Sequence, residues 1–250
     1  VGITQLYRNK TIIVLFIGMR IPSWRNISVE KYQYINEINA NNPDDLDKLL
    51  YLITFLTGKS EQQINNISVK VFNRLAIKVK DRFENIKGTY VNYLRGFRFN
   101  YNFKRVTLGQ YIEVQHFAKM GQIESLHLIA ASMSVKGKLS HTQRADKILT
   151  LPMLPILYSV GHFLDEFKSF NNNYKGLFGV GEEEGEGEAI EFNERYGWIY
   201  SAKKVAEFEG TTLEKAFELP VIQAFNDLAY LKAFSQYEEE LNKRHRDAIN

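Results

Sequence analysis

The sequence predicts a mainly α protein with two short β-hairpins, built from about three related helical units in tandem. Three observations carry that prediction. Ile27-Ser28-Val29-Glu30-Lys31-Tyr32 and Val106-Thr107-Leu108-Gly109-Gln110-Tyr111 agree position for position as branched apolar, hydroxyl, apolar, two spacers and tyrosine. Gly58 to Ala76 ends in Phe72-Asn73-Arg74-Leu75-Ala76, and Gly210 to Ala229 ends in Phe225-Asn226-Asp227-Leu228-Ala229, so a second string recurs near the C-terminal end of the sequence. Apolar residues recur at helical spacing through long stretches and switch to period two between Thr89 and Phe103.

Each element follows from local chemistry. Lys10 to Ile17 is rich in β-branched and aromatic residues and reads as a buried strand, paired with Ile3 to Tyr7 across Arg8-Asn9. Ser28 is placed to cap a helix carrying Val29, Tyr32, Ile35 and Ile38, which ends at Asn39 to Asn42. Pro43-Asp44-Asp45 opens the next helix, with its acids where the helix dipole favours them. Leu46 to Leu56 form its apolar body and Gly58 stops it. Ser60 and Gln63 have the spacing of a capping box for a single turn. Ser68 then caps a helix with Val69, Phe72, Leu75, Ala76 and Val79 on one face.

Between Thr89 and Phe103 the alternation predicts a hairpin turning at Arg95-Gly96, with Phe97, Phe99, Tyr101 and Phe103 on one side. Thr107 caps the helix of the second copy, and Gly121 separates it from a helix at Ile123. Ser134 to Ser140 reads as a polar loop. A helix opens after Ser140, and Leu151-Pro152 introduces another from Met153 to Phe170, whose prolines fit its first turn. Asn171-Asn172-Asn173 and the glutamate-glycine run Gly176 to Gly187 read as a linker. Phe192 to Phe208 forms a helix stopped by Gly210. The last helix runs through Tyr230, Leu231, Phe234 and Tyr237 into charged Glu238 to Asp247, beyond the domain body. The expected division is 1–88, 89–170, a flexible 171–189, and a truncated third unit over 190–250.

Composition excludes several classes. Hydrophobic residues at 44% and charged residues at 24% are those of a folded chain, not a disordered one. Cysteine is absent, which removes disulfides and thiolate catalysis. No apolar run reaches the ~20 residues of a membrane helix, and Ile12 to Ile17 lacks the small-residue cleavage site of a secretory signal. The net charge of +3 is modest, but between Ser68 and Arg105 ten Lys or Arg residues stand against Asp81 and Glu84. Lys70, Arg74, Lys78 and Arg82 are spaced i,i+4 along one helix, and Arg98, Lys104 and Arg105 follow near the aromatic hairpin. These seven are the candidate partner-binding residues. They suit an acidic protein surface or, as a second reading, nucleic acid contacted by the basic segment 68–105 with stacking on the hairpin aromatics.

No residues are nominated for catalysis, cofactor binding or metal binding. The five histidines form no i,i+3 or i,i+4 pair, and neither a phosphate-binding loop nor a G-x-S-x-G elbow is present. The adjacent acids Asp44/Asp45 and Asp165/Glu166 point about 100° apart on a helix. The expectation is a non-enzyme.

The order of aromatic hairpin, [IV]-[ST]-[VL]-x-x-Tyr helix start, apolar helix pair and Leu-Pro helix, clearest from Tyr90 to Phe170, resembles helical structural and assembly proteins of the tail modules of tailed bacteriophages. The nearest class is the tail assembly chaperone, particularly of phages of Bacteroidetes including the crAss-like group. The resemblance implies a non-enzymatic, multi-copy protein that contacts tape-measure, portal or tail components or forms a virion ring. It implies self-association without a cofactor, and residence in the virion or in the host cytoplasm during assembly. The glutamate-glycine segment belongs to no pattern of that family.

Overall fold

The computed structural model describes residues 19–41, 45–177 and 187–249, with side chains of the last stretch described over 195–248. Among these residues the protein is mainly helical, with eleven α-helices and one small three-stranded antiparallel sheet, so the expected mainly α class holds. The hairpin expected from Ile3 to Ile17 and the acidic run 178–186 lie outside the described residues.

The chain forms two compact units, one comprising Val1–Thr89 with Leu149–Ile156, the other Tyr90–Ile148 with Leu157–Asn250. Residues 190–250 fall within the second of these.

In the first unit, a 3₁₀ turn at Trp24–Asn26 precedes α1 (Val29–Asn41), α2 (Asp45–Thr57), the single-turn α3 (Glu61–Asn65) and α4 (Val69–Glu84). Ser28 Oγ accepts from the Lys31 N–H at 3.3 Å, as a helix cap should. The Ser60–Gln63 capping box is complete, and Gly58 adopts a left-handed φ of 66° that ends α2. Ser68 occupies the capping position of α4, but its side chain makes no capping bond. Ile27, Val29, Tyr32, Ile35, Leu52, Ile53, Leu75 and Val79 are buried. Trp24 stacks edge-on to Tyr32 and Phe83 and donates its Nε1–H to the Arg82 carbonyl at 2.6 Å.

The second unit holds β1 (Tyr93–Leu94) and β2 (Phe97–Phe99), then α5 (Leu108–Lys119), α6 (Leu126–Ser132), β3 (Ser134–Val135) and α7 (His141–Leu149). It continues with α8 (Met153–Asn173) from Leu157 onward, α9 (Gly187–Phe208), α10 (Leu213–Glu218) and α11 (Val221–Ile249). The hairpin turns where expected, with φ of 46° at Arg95 and 85° at Gly96, the paired positive values of a type I′ turn. Its strands are shorter than the alternation suggests. β2 pairs on its other side with β3, inside the stretch expected as loop, in the register Arg98↔Val135 and Phe99↔Ser134. Asn171 to Asn173, expected in the linker, are the last turn of α8.

The core of this unit is aromatic. Tyr111 of α5 lies 4.7 Å from Phe167, 4.9 Å from Phe225, 5.4 Å from Trp198 and 6.1 Å from Phe170 between ring centroids. Its hydroxyl donates to Asn171 Oδ1 at 2.8 Å. Burial pushes the phenol far above its ordinary pKa, and the Asn171 bond opposes this only in part.

One local device occurs in both units. In the first, the Val29 N–H donates to the Leu151 carbonyl at 2.9 Å and the Met153 N–H to the Ile27 carbonyl at 2.8 Å, bridging Ser28 and Pro152. In the second, the Leu108 N–H donates to the Leu219 carbonyl and the Val221 N–H to the Val106 carbonyl, both at 2.9 Å, bridging Thr107 and Pro220. The first N–H of a helix has no partner within the helix. Here two helix starts satisfy each other, and proline fits the bridge because that position donates no hydrogen bond.

Candidate functional site

The seven nominated cations fall in two places, four in the first unit and three in the second. On α4, Lys70, Arg74 and Lys78 are exposed and Arg82 is half-buried. Among the described residues, no carboxylate lies within ion-pair distance of Lys70, Arg74 or Lys78, while the neighbouring Lys80 reaches Glu84 at 3.8 Å.

Beside this row runs an open groove of about 380 Å³, in which α2 supplies Leu46, Asp47 and Leu50, the α3 turn supplies Ile64, Asn65 and Ile67, and α4 supplies Val69, Phe72 and Asn73. Val69 was expected on the core face of α4, yet it is 75% exposed, and Leu46 of α2 is 63% exposed. At 100° per residue, Lys70 follows Val69 and Asn73 around the helix and stands at the edge of the groove, while Arg74 and Lys78 stand progressively further round the exposed side of α4 and none of the three lines it. The groove escaped sequence reasoning because an apolar periodicity identifies a face without saying how wide the buried part of that face is.

In the second unit Arg98, Lys104 and Arg105 are exposed. The aromatics beside them are not: Phe97, Phe99 and Phe103 are buried, with Phe103 stacked 4.7 Å from Phe170 and 5.4 Å from Phe163. Those rings cannot serve as a base-stacking platform.

Lys104 lines a second cavity of about 370 Å³ with Pro220, Ile222, Gln223, Asn226 and Asp227. Asp227 Oδ2 is enclosed and has no hydrogen-bond partner among the described residues. Burial and the neighbouring Glu209 push the Asp227 carboxyl up to about 6, and Gln223 Nε2 donates to Glu209 Oε1 at 2.9 Å.

Ser132, His141 and Glu113 superficially form a nucleophile, base and acid. Ser132 Oγ lies 3.0 Å from His141 Nε2, and the same nitrogen is 4.0 Å from Glu113 Oε2. A catalytic relay needs the two ring nitrogens to face different partners. The Ser132 hydroxyl donates to the Leu128 carbonyl at 3.1 Å, so Nε2 must carry the proton and donate, and Ser132 is fully enclosed. These groups instead end α6. Gln110 Nε2 donates to the Ser132 carbonyl at 2.8 Å and Arg144 Nε to the Ala131 carbonyl at 3.0 Å.

Among the described residues no group of three potential ligands could hold a metal ion, and no helix is long and apolar enough to cross a membrane. Comparison with protein-family models, with curated proteins and with solved structures finds no match to this chain.

Proposed function

We propose that the chain is a non-enzymatic assembly protein that captures an amphipathic helix of a partner, the partner's apolar face entering the groove and its carboxylates meeting Lys70, Arg74 and Lys78. The observation that carries this reading is the open groove with exposed Leu46, Val69 and half-buried Phe72, next to which Lys70 begins a row of exposed cations that continues along α4. Apolar anchors supply most of the affinity in such an interface, and peripheral charges supply orientation and association rate. A multi-copy role in a phage tail module, with a tape-measure, portal or other tail component as partner, in the virion or the host cytoplasm, is the biological setting we propose for it. The resemblance of the Tyr90 to Phe170 order to tail assembly proteins supports that setting.

The reading is tested by reversing Lys70, Arg74 and Lys78 to glutamate and capturing partners from lysate of phage-infected cells. The expected result is an unchanged far-ultraviolet circular dichroism spectrum with capture of a tail protein reduced at least about tenfold. Undiminished capture by the folded triple variant overturns it. A steeply salt-dependent gel shift with duplex DNA, abolished by the same variant, would replace it with nucleic-acid binding.

A further inference from the structure

α11 is 29 residues long, about 43 Å at 1.5 Å per residue. Its first turns are anchored: Val221, Ala224 and Phe225 are fully buried in the second unit. From Tyr230 to Ala248 every residue is exposed or half-exposed. Along this free length Tyr230, Phe234, Tyr237, Leu241, Arg244 and Ala248 recur at intervals of four and three, which keeps them within one narrow stripe of a helix. The stripe is aromatic where it begins. Tyr230 is 55%, Phe234 44% and Tyr237 57% exposed, and Tyr230 stacks with Phe234 at 6.0 Å and touches Phe208 of α9 at 5.6 Å.

Isolated helical turns are marginal in water. Among the described residues this stretch carries one ion pair, Glu240 to Arg244 at 4.0 Å between well-exposed groups, and it adds little. A seam of this period is completed by another helix carrying the same seam. The order of charges selects which. Glu238, Glu239 and Glu240 occupy one turn, and Lys243, Arg244 and Arg246 occupy the next against the single Asp247. Two parallel copies would set glutamates on glutamates and cations on cations. Two antiparallel copies crossing near Leu241 set each acidic turn against the other's basic turn, twice over, through one two-fold axis. Arg244 lies in the seam, so its stem can cover Leu241 of the second copy while its guanidinium reaches that copy's Glu238 or Glu240.

We propose that the C-terminal half of α11 is a homodimerisation element, pairing antiparallel with the same helix of a second copy about Leu241. It stands on α11 alone and does not require the groove beside Lys70.

Sedimentation equilibrium of the full chain tests it. The expected species has dimer mass, and Leu241→Glu, which lies outside the folded core, raises the dissociation constant at least about tenfold with an unchanged thermal transition of the core. Orientation is read by cysteine cross-linking, the chain having no cysteine of its own. Leu241→Cys should form an intermolecular disulfide and Phe234→Cys should not, because antiparallel pairing separates the two copies of residue 234 by about 20 Å. Monomer mass at every concentration, a Leu241→Glu dimer as stable as the wild type, or efficient linking through Phe234→Cys overturns the proposal. A monomer whose Lys70, Arg74 and Lys78 reversal still abolishes capture would overturn the pairing and leave the groove reading standing.

Discussion

Tyr111 and Asp227 show how single side chains divide the work of the second unit. Tyr111 contributes ring area and one hydrogen bond to an otherwise apolar cluster. Tyr111→Phe keeps the ring and removes the bond to Asn171, so a loss of about 1 kcal/mol is expected in urea denaturation, while Tyr111→Ala should cost about 3–5 kcal/mol. Asp227 acts with the opposite sign. Its folded pKa of about 6 lies above the ordinary 3.8, so the contribution of its protonated form to stability is full below about pH 4 and is lost as pH rises through 6. Asp227→Asn, which can donate to Glu209 at any pH, is therefore expected to melt at a higher temperature than wild type at pH 7.5, with the gap closing as pH falls to 4. A constant gap across that range in calorimetric scans would contradict the raised pKa of Asp227.

At the scale of elements, helix starts were the most legible features of the sequence and sheet edges the least. A helix start is a local contest among a few backbone N–H groups, and Ser28, Ser60, Thr107 and Ser140 announce it within four residues. β3 was not legible, because Ser134 and Val135 become a strand only through Asn100, Arg98 and Phe99, which lie far away in sequence. The reciprocal clamps were half visible. The recurrent [IV]-[ST]-[VL] string and the Leu151-Pro152 helix start stood out, but the recurrence of Leu-Pro at Leu219-Pro220 did not, and that each string is the other's partner depends on the chain's return path. The two clamps also differ in a testable way. Thr107 accepts from the Gln110 N–H at 3.2 Å while its own N–H donates to Gln110 Oε1 at 3.1 Å, whereas Lys31 at the matching position of the first unit has no acceptor to offer Ser28. Thr107→Ala should cost about 1–2 kcal/mol and Ser28→Ala about half as much, as measured by chemical denaturation.

For the molecule as a whole, composition and periodicity were enough to identify a helical fold but not to allocate its surface. The excess of Lys and Arg from Ser68 to Arg105 reads as one basic segment in sequence, yet the break at Thr89 assigns its two halves to different units. Of the aromatic stripe beside it Phe97, Phe99 and Phe103 turned inward, Phe97 stacking on Phe99 and Phe103 meeting Phe163, Phe167 and Phe170 of α8, which repeat at helical spacing. Those partners arise from separate stretches of sequence, so no local window could report the cluster. The groove and the free length of α11 share that origin, being defined by which apolar residues the folded units leave uncovered.

The bridge between Ser28 and Pro152 sets the order in which a growing polypeptide can mature. The ribosome delivers α1 to α4 long before it delivers Leu151 and Met153, so Ile27 and Val29 must wait, unclamped, until the start of α8 has been translated. Domains made from contiguous sequence escape that delay. For this one, a holding factor or a slow stretch of codons ahead of Leu151 would matter more than either would after it.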